Sequence, residues 1–213
     1  MQLKPLGNTG IAIPAIGQGT MGIGGYFQRD ESRDQEWIDQ LQYGIDLGMT
    51  LIDTAEIYAA GHAEELVGKA IQGRRDQVFV ATKFSPENSS FEAVIQAAAA
   101  SLRRLQTDYI DLYQTHWSNP HVPIAETMSA MEKLVQDGKV RHIGLSNYSL
   151  GETRQAQNSL AHTTIVSTQQ EYNLAERTIE QQILPLCQAE TLTLIAYSPL
   201  SQGKIAASDD RAS

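Results

Sequence analysis

The chain has 213 residues, of which 41% are hydrophobic, a composition typical of an ordinary globular protein and not of a disordered one. Its formal net charge of -9 argues against binding to nucleic acid, because a phosphate-binding surface needs a concentration of Lys and Arg. No stretch approaches the roughly 18 apolar residues of a membrane span, the N-terminus does not resemble a signal peptide, and the single Cys187 suits a reducing compartment, so we expect a cytoplasmic protein without a membrane partner.

The first residues predict a β-hairpin. Leu3 and Leu6 alternate with polar residues before a Gly-Asn-Thr-Gly turn at residues 7–10, and Ile11 and Ile13 alternate after it. The next segment, residues 14–22, predicts a short strand that ends in closely spaced glycines. Glycines at such a place let the backbone turn sharply or lie directly against a ligand.

From residue 34 onwards the sequence predicts alternating helices and strands. Gly48 is a natural C-terminal cap for the first helix, Ser89 and Ser90 are candidate N-caps for the third, and Ser149 and Glu152 have the spacing of a capping box. The predicted helices cover residues 34–47, 62–71, 91–105, 124–136, a segment after residue 149, and 175–188. The predicted strands cover residues 50–52, 77–81, 109–114, 140–145, 164–167 and 192–196.

This alternation predicts one α/β domain over residues 1–213. The repeat is about 25 to 35 residues, the length of a βα unit, and no linker interrupts it. With the strand near Ile16 there are seven such strands, for which an eightfold (β/α) barrel is the closest regular solution. A doubly wound sheet is the alternative, but no GxGxxG motif follows the first strand.

Polar residues follow the apolar run of each predicted strand. In a (β/α) barrel the active site lies at the C-terminal ends of the strands, so these residues are expected to meet at one mouth. They include an acid, a lysine and a histidine, a combination that stability alone would not place together. The set is Thr20, Asp53, Lys83, His116, Ser146, Gln169 and Tyr197.

The expected chemistry of this mouth is proton transfer to a carbonyl oxygen. A buried Lys83 needs a carboxylate partner, for which Asp53 is the candidate, and Tyr58 lies five residues further along the same loop. A nearby ammonium would lower the tyrosine pKa and make it a proton donor, while His116 would bind a substrate oxygen. No side chain supplies hydride, so a reductase of this kind needs a nicotinamide or flavin cofactor.

Six segments of the chain resemble the aldo-keto reductase superfamily, in the order and spacing of that family and over nearly the whole chain. They are residues 53–58 (DTAEIY), 63–70 (AEELVGKA), 81–83 (ATK), 108–116 (DYIDLYQTH), 143–147 (IGLSN) and 196–200 (AYSPL). The resemblance implies a TIM barrel that reduces aldehydes or ketones with NADPH, and it leaves NADH open.

The resemblance also implies roles for individual residues. Asp53, Tyr58, Lys83 and His116 correspond to the catalytic tetrad, with Tyr58 as general acid, and Trp117 and Tyr26 to aromatic residues of the substrate pocket. Tyr197 would stack on the nicotinamide, whose carboxamide Ser146, Asn147 and Gln169 would bind. The complete implied cofactor set is Gly19, Thr20, Met21, Asp53, Ser146, Asn147, Gln169, Tyr197, Ser198, Pro199, Leu200, Ser201 and Gln202.

The chain departs from this family in its length. Family members usually continue for about 100 residues, through an eighth βα unit and the basic residues that bind the adenosine 2'-phosphate. The expected fold is therefore a (β/α)8 barrel lacking its eighth βα unit, with an N-terminal β-hairpin and a frayed tail at residues 204–213.

Three functions are consistent with the sequence. The first is an NADPH-dependent reductase of small carbonyl compounds. The second is a weakly active or inactive subunit that completes its barrel by pairing with another copy, as a homo-oligomer, or with a different partner. The third is a Schiff-base lyase that uses Lys83 as its nucleophile, although this chemistry gives Asp53 and Tyr58 no role.

Overall fold

The computed structural model describes residues 1–204 and contains a small hairpin, a seven-stranded sheet and six helices. The hairpin strands are β1 (Leu3–Pro5) and β2 (Ala12–Pro14). The sheet strands are β3 (Gln18–Gly19), β4 (Leu51–Asp53), β5 (Phe79–Phe84), β6 (Ile110–Thr115), β7 (Val140–Ser146), β8 (Ile165–Glu171) and β9 (Thr193–Tyr197). The helices are α1 (Asp34–Asp46), α2 (His62–Ala70), α3 (Phe91–Leu105), α4 (Ile124–Gln136), α5 (Leu150–Asn158) and α6 (Ile183–Glu190).

The seven sheet strands are parallel and follow one another in chain order from β3 to β9. One βα unit after another is therefore laid down beside the last, which is the topology of a (β/α) barrel. The main hydrophobic core lies between the helices and the outer face of the sheet, where Val80, Ile143 and Met128 are fully buried. This confirms the predicted barrel class.

The hairpin packs inside the sheet and supports its N-terminal end. Leu6 and Ile13 form a second buried cluster with strand residues that include Leu51 and Leu112. The Gly7 amide donates a 2.7 Å hydrogen bond to the Thr193 hydroxyl, which ties the hairpin to β9. A side chain at Gly7 would meet the backbone of Val166 at 3.0 Å, and its φ of +49° also favours glycine. The opposite, C-terminal end of the strands stays free for polar residues.

Most predicted boundaries agree with the structure, and the differences have local causes. The predicted capping box is present, since Ser149 and Glu152 cap α5 reciprocally. Ser90 occupies the N-cap position of α3 but its side chain makes no capping bond, and the Glu126 carboxylate accepts a hydrogen bond from the Phe91 amide of the same turn.

The predicted helix at residues 175–188 was wrong in its first half. A 3-10 turn at Thr178–Gln181 precedes α6. The side-chain oxygen of Asn173 accepts hydrogen bonds from the backbone amides of Ala175 and Glu176, which competes with helix formation at these two residues. In α6 Cys187 is buried, which raises the pKa of its thiol to about 11 and agrees with a packing role.

Within residues 1–204, the six helices offer no segment of the length and apolarity that a membrane crossing requires. The tail predicted at 204–213 lies outside the described residues except for Lys204.

Candidate active site

The C-terminal ends of neighbouring strands bring the predicted polar residues together. Register pairs align Gly19 with Asp53, Lys83 with Gln114, and Ser146 with Gln169, so successive strands end at similar heights. Thr20 is part of this edge, since its amide and its hydroxyl both donate to the Asp53 carbonyl, at 2.9 and 3.1 Å. The polar edge predicted from strand ends is therefore a physical cluster.

Lys83 is the centre of the cluster and is fully buried. Its ammonium donates to the Asp53 carboxylate at 2.6 Å, to the Thr54 carbonyl at 3.0 Å and to the Tyr58 hydroxyl at 3.4 Å. These are three acceptors for three N–H groups, which satisfies the charge without water. The opposite oxygen of Asp53 accepts the Gln169 amide at 2.8 Å.

The charge state of Lys83 follows from two opposing effects. Burial lowers the pKa of this lysine, but the Asp53 carboxylate, the Tyr58 hydroxyl and their hydrogen bonds to the ammonium outweigh it, so its pKa lies above the ordinary value. Lys83 is therefore a cation at neutral pH.

Tyr58 lies in a strained turn at the mouth. Residues Tyr58–Gly61 form a 3-10 turn in which Ala59 and Ala60 have φ of 50° and 54°, a left-handed conformation that costs an L-residue about 1–2 kcal/mol. The Ala59 amide is held by the Tyr26 carbonyl at 3.1 Å. Strain of this kind persists only where surrounding contacts enforce it, which is common at active sites.

The predicted lowering of the Tyr58 pKa was wrong. Burial raises the pKa of this phenol, Lys83 lowers it, Asp53 raises it again, and the net direction is upward. Sequence alone could not weigh desolvation against the neighbouring cation. Tyr58 is consequently protonated throughout the neutral range, the form that a proton donor requires.

His116 completes the predicted tetrad. Its ring lies edge-on to Tyr58, with centroids 5.8 Å apart, and stacks on Trp117 at 4.1 Å. Burial and the Lys83 charge lower its pKa to about 3, so the imidazole is neutral. Its Nδ1 is buried and has no hydrogen-bond partner among the described residues. A neutral imidazole can donate a hydrogen bond to a substrate oxygen without acting as an acid itself.

The residues implied for a nicotinamide form a connected group beside the tetrad. The Asn147 amide donates to the His116 carbonyl at 2.9 Å and to the Ser146 hydroxyl at 3.1 Å, and its oxygen accepts from the Tyr197 hydroxyl at 2.9 Å. Asn147 itself has a φ of 57°, a left-handed conformation that Asn tolerates well. Amide and hydroxyl groups around an aromatic ring suit a flat heteroaromatic ring that carries a carboxamide.

The other residues of the implied cofactor set lie at or just after strand ends: Gly19 ends β3, Thr20 and Met21 follow it, and residues 198–202 follow β9. A side chain at Gly19 would meet nothing within 4 Å, so there is room for a ligand against its backbone. The segment after β9 has left-handed residues at Ser198, Ser201 and Gln202, and it forms a short 3-10 turn at Ser201–Gly203. Met21 and Leu200 are exposed, and Pro199 lies between Ser198 and Leu200 in the same segment. The residues present fit a nicotinamide dinucleotide at its nicotinamide end.

Two features of the site were missed by sequence reasoning. The Thr54 carbonyl is an acceptor for Lys83, which no side-chain pattern could reveal. The family resemblance implies only a cofactor contact for Gln169, but its side-chain amide also donates to Asp53 and so links the tetrad to the implied cofactor group. Its position after the apolar run of a strand predicts that Gln169 lies at the mouth, but does not predict its hydrogen bond to Asp53.

No metal site accompanies this cluster in the part of the chain that the structure describes, where no group of three or more His, Cys, Asp or Glu side chains could hold an ion. The charges of the mouth are instead balanced by the contacts of Lys83.

Comparison with known proteins gives a consistent result. The model of the aldo/keto reductase family matches residues 15–213. The methylglyoxal reductase YeaE of Escherichia coli is 42% identical over 203 residues, which are 95% of this chain and 70% of that protein. The crystal structure of a thermostable aldo-keto reductase, Tm1743, with the inhibitor epalrestat has a TM-score of 0.93 and 43% identity, covering 95% of this chain and 74% of that one.

A further solved structure, an aldo-keto reductase from Klebsiella pneumoniae in complex with NADPH, has a TM-score of 0.85 and 41% identity, covering 95% of this chain and 70% of that one. Against two other curated relatives, the chain spans 63% and 61% of their length.

Proposed function

The chain belongs to the aldo/keto reductase family, and we propose that its site reduces a small aldehyde or ketone to the alcohol with NADPH as the hydride source. The observation that carries this proposal is the protonated Tyr58 hydroxyl 3.4 Å from the Lys83 ammonium, which is itself paired with Asp53 at 2.6 Å. The relatives support the same chemistry, since one is named a methylglyoxal reductase and another was solved with NADPH.

When bound, the nicotinamide supplies hydride to the carbonyl carbon. Tyr58 would then donate its proton to the carbonyl oxygen, which becomes the alcohol hydroxyl. The Lys83 ammonium would stabilise the phenolate left behind, because it already donates toward the Tyr58 oxygen. Asp53 would keep Lys83 charged and aimed at Tyr58, and Gln169 would hold Asp53 in place.

His116 would orient the substrate. Its pKa of about 3 keeps it neutral, so it can donate a hydrogen bond to the carbonyl oxygen while Tyr58 remains the stronger acid in position. Ser146 and Asn147 would bind the carboxamide of the cofactor and Tyr197 would cover its ring, which would fix the face from which hydride leaves.

The physical state of Lys83 argues against the Schiff-base alternative. A Schiff-base nucleophile must be a neutral amine, and it is activated by a lowered pKa. Here the carboxylate of Asp53 raises the lysine pKa despite burial, and the amine has three hydrogen-bond acceptors. We therefore propose an oxidoreductase and not a lyase. We also propose that it acts in the cytoplasm and that residues 1–213 belong to one domain.

The test is NADPH consumption with 4-nitrobenzaldehyde and with methylglyoxal, followed by identification of the alcohol product. We expect one NADPH oxidised per alcohol formed. Borohydride added with a carbonyl substrate should leave the mass of the chain unchanged. A covalent adduct at Lys83, or alcohol formation that does not need a nicotinamide, would contradict the proposed function.

A further inference from the structure

The loop between β3 and α1, residues 20–33, is fastened to the turn that carries Tyr58. The Ala59 amide in that turn donates to the Tyr26 carbonyl of the loop at 3.1 Å. Within the loop the Asp30 amide donates to the Gly24 carbonyl at 2.8 Å. The loop also carries Tyr26 and Phe27, two exposed aromatic rings that contact each other edge to face at 4.8 Å.

His62 lies against the same loop, at Gly24. It is the first residue of α2, it follows the left-handed residues Ala59 and Ala60, and its side chain is completely buried. The loop backbone rests on its ring, since a side chain at Gly24 would come within 2.7 Å of the imidazole. The imidazole therefore contacts the loop directly, and through the chain it is four residues from Tyr58.

Two carboxylates from different helices hold the His62 ring. Its Nε2 lies 2.7 Å from Asp34, the first residue of α1, and its Nδ1 lies 3.0 Å from Glu65 in the first turn of α2. Glu65 also binds Arg29 of the loop at 2.8 Å. One buried side chain thus connects the loop at Gly24, the start of α1 and the start of α2.

We propose that His62 is a positioning residue that locks the β3–α1 loop against the Tyr58 turn and so keeps the Tyr58 hydroxyl within reach of Lys83. The inference rests on the proposed function for its kinetic consequence. The left-handed Ala59 and Ala60 have no intrinsic preference for this shape, so the turn depends on contacts at its two ends. One end is the Lys83 contact of Tyr58, and the other is His62.

The kinetic test compares His62→Leu and the milder Asp34→Asn with Glu36→Gln. Glu36 is the control because it lies on α1, as Asp34 does, and its carboxylate contacts only exposed side chains, those of Arg33 and Gln40. We expect kcat for 4-nitrobenzaldehyde to fall about tenfold in His62→Leu and about threefold in Asp34→Asn, because small displacements of a catalytic group have large effects on rate. The control and the NADPH dissociation constant should be unchanged.

The same substitutions in a Tyr58→Phe background separate positioning from general damage. If His62 acts through Tyr58, His62→Leu should change the residual rate by less than about twofold in that background. An equal loss of rate in both backgrounds would overturn the proposal. If His62→Leu does not fold, Asp34→Asn supplies the same comparison.

Hydrogen exchange supplies a test that does not depend on activity. The amides of Ala59 and Asp30, which bond Tyr26 and Gly24, should exchange faster in His62→Leu and Asp34→Asn than in the wild type, while amides in the centre of β5 should be unchanged. Unchanged exchange at Ala59 would overturn the proposal. A wild-type chain that reduces no aldehyde would refute the proposed function. Amide hydrogen exchange at Ala59 and Asp30 would then still test whether His62 holds the loop against the Tyr58 turn.

Discussion

The Asp53 and Lys83 pair predicts an asymmetry between two substitutions that remove one charge each. The Lys83 side chain is fully buried, whereas that of Asp53 is 20% exposed and keeps the Gln169 amide on its other oxygen. Asp53→Asn would leave an ammonium buried without a carboxylate, and Lys83→Met would leave a carboxylate that water and Gln169 can partly satisfy. The first change should therefore destabilise the fold more than the second.

The magnitudes follow from this difference in burial. Removing one partner of a buried ion pair costs about 3–5 kcal/mol, which we expect for Asp53→Asn. A polar group that loses one hydrogen bond but keeps another and some water costs about 1–3 kcal/mol, which we expect for Lys83→Met. The double variant buries no unpaired charge, so it should cost about 1–3 kcal/mol and not the sum of the two single changes.

The measurement is equilibrium unfolding in urea at pH 7, with the carbonyl reductase rate measured on the same samples. Asp137→Asn, which breaks an exposed pair with Lys133 on α4, is the control and should cost less than about 0.5 kcal/mol. The double variant should regain stability but no activity. A larger cost for Lys83→Met than for Asp53→Asn, or a double variant whose cost equals the sum, would refute the reasoning.

Three further predictions concern pH and cofactor binding. Tyr58 can donate a proton at any pH below its raised pKa, and His116 is neutral above about pH 3, so kcat/KM for reduction should not change between about pH 5 and about pH 9. A rise or fall of kcat/KM centred near pH 6.5 would contradict this prediction. His116 takes up a proton near pH 6.5 in the unfolded chain but only near pH 3 in the folded one, so its contribution to the free energy of unfolding is present above pH 6.5 and is lost as the pH falls toward 3. In urea titrations between these values, His116→Gln should remove up to about 1.4 kcal/mol per pH unit from the pH dependence of the free energy of unfolding, and an unchanged pH dependence would show that His116 titrates normally. Asn147→Ala should weaken NADPH binding about tenfold in a fluorescence titration, because it removes the hydrogen bonds to the His116 carbonyl and the Tyr197 hydroxyl. An unchanged dissociation constant would exclude a role of Asn147 in cofactor binding.

The polar edge of the sheet could be predicted because apolar runs show where strands end. Asp53, Lys83 and His116 each follow such a run, and the parallel topology then brings them to one mouth. The same rule placed Ser146 and Gln169, which pair in register on β7 and β8. The regular repeat of βα units is a local property of the sequence, so the class of fold could be predicted as well.

The remaining features depend on contacts between distant segments. The direction of the Tyr58 pKa required the depth of burial, which strand patterns do not give. The left-handed Ala59 and Ala60 oppose the intrinsic preference of alanine, so contacts with other segments, such as the bond from the Ala59 amide to the Tyr26 carbonyl, must hold the turn. The bond between Gln169 and Asp53 joins residues 116 positions apart, and no spacing rule specifies it.

Replacement of Tyr58 by Phe tests the central claim most directly, because it removes one hydroxyl and retains the ring. Tyr43→Phe is the matched control, since Tyr43 is 65% exposed on α1. General acid catalysis contributes about 10²- to 10⁴-fold, so kcat/KM for 4-nitrobenzaldehyde with NADPH should fall by at least about 100-fold in Tyr58→Phe, with NADPH binding and the control unchanged. A Tyr58→Phe chain that reduces the aldehyde at the wild-type rate would show that Tyr58 does not donate the proton.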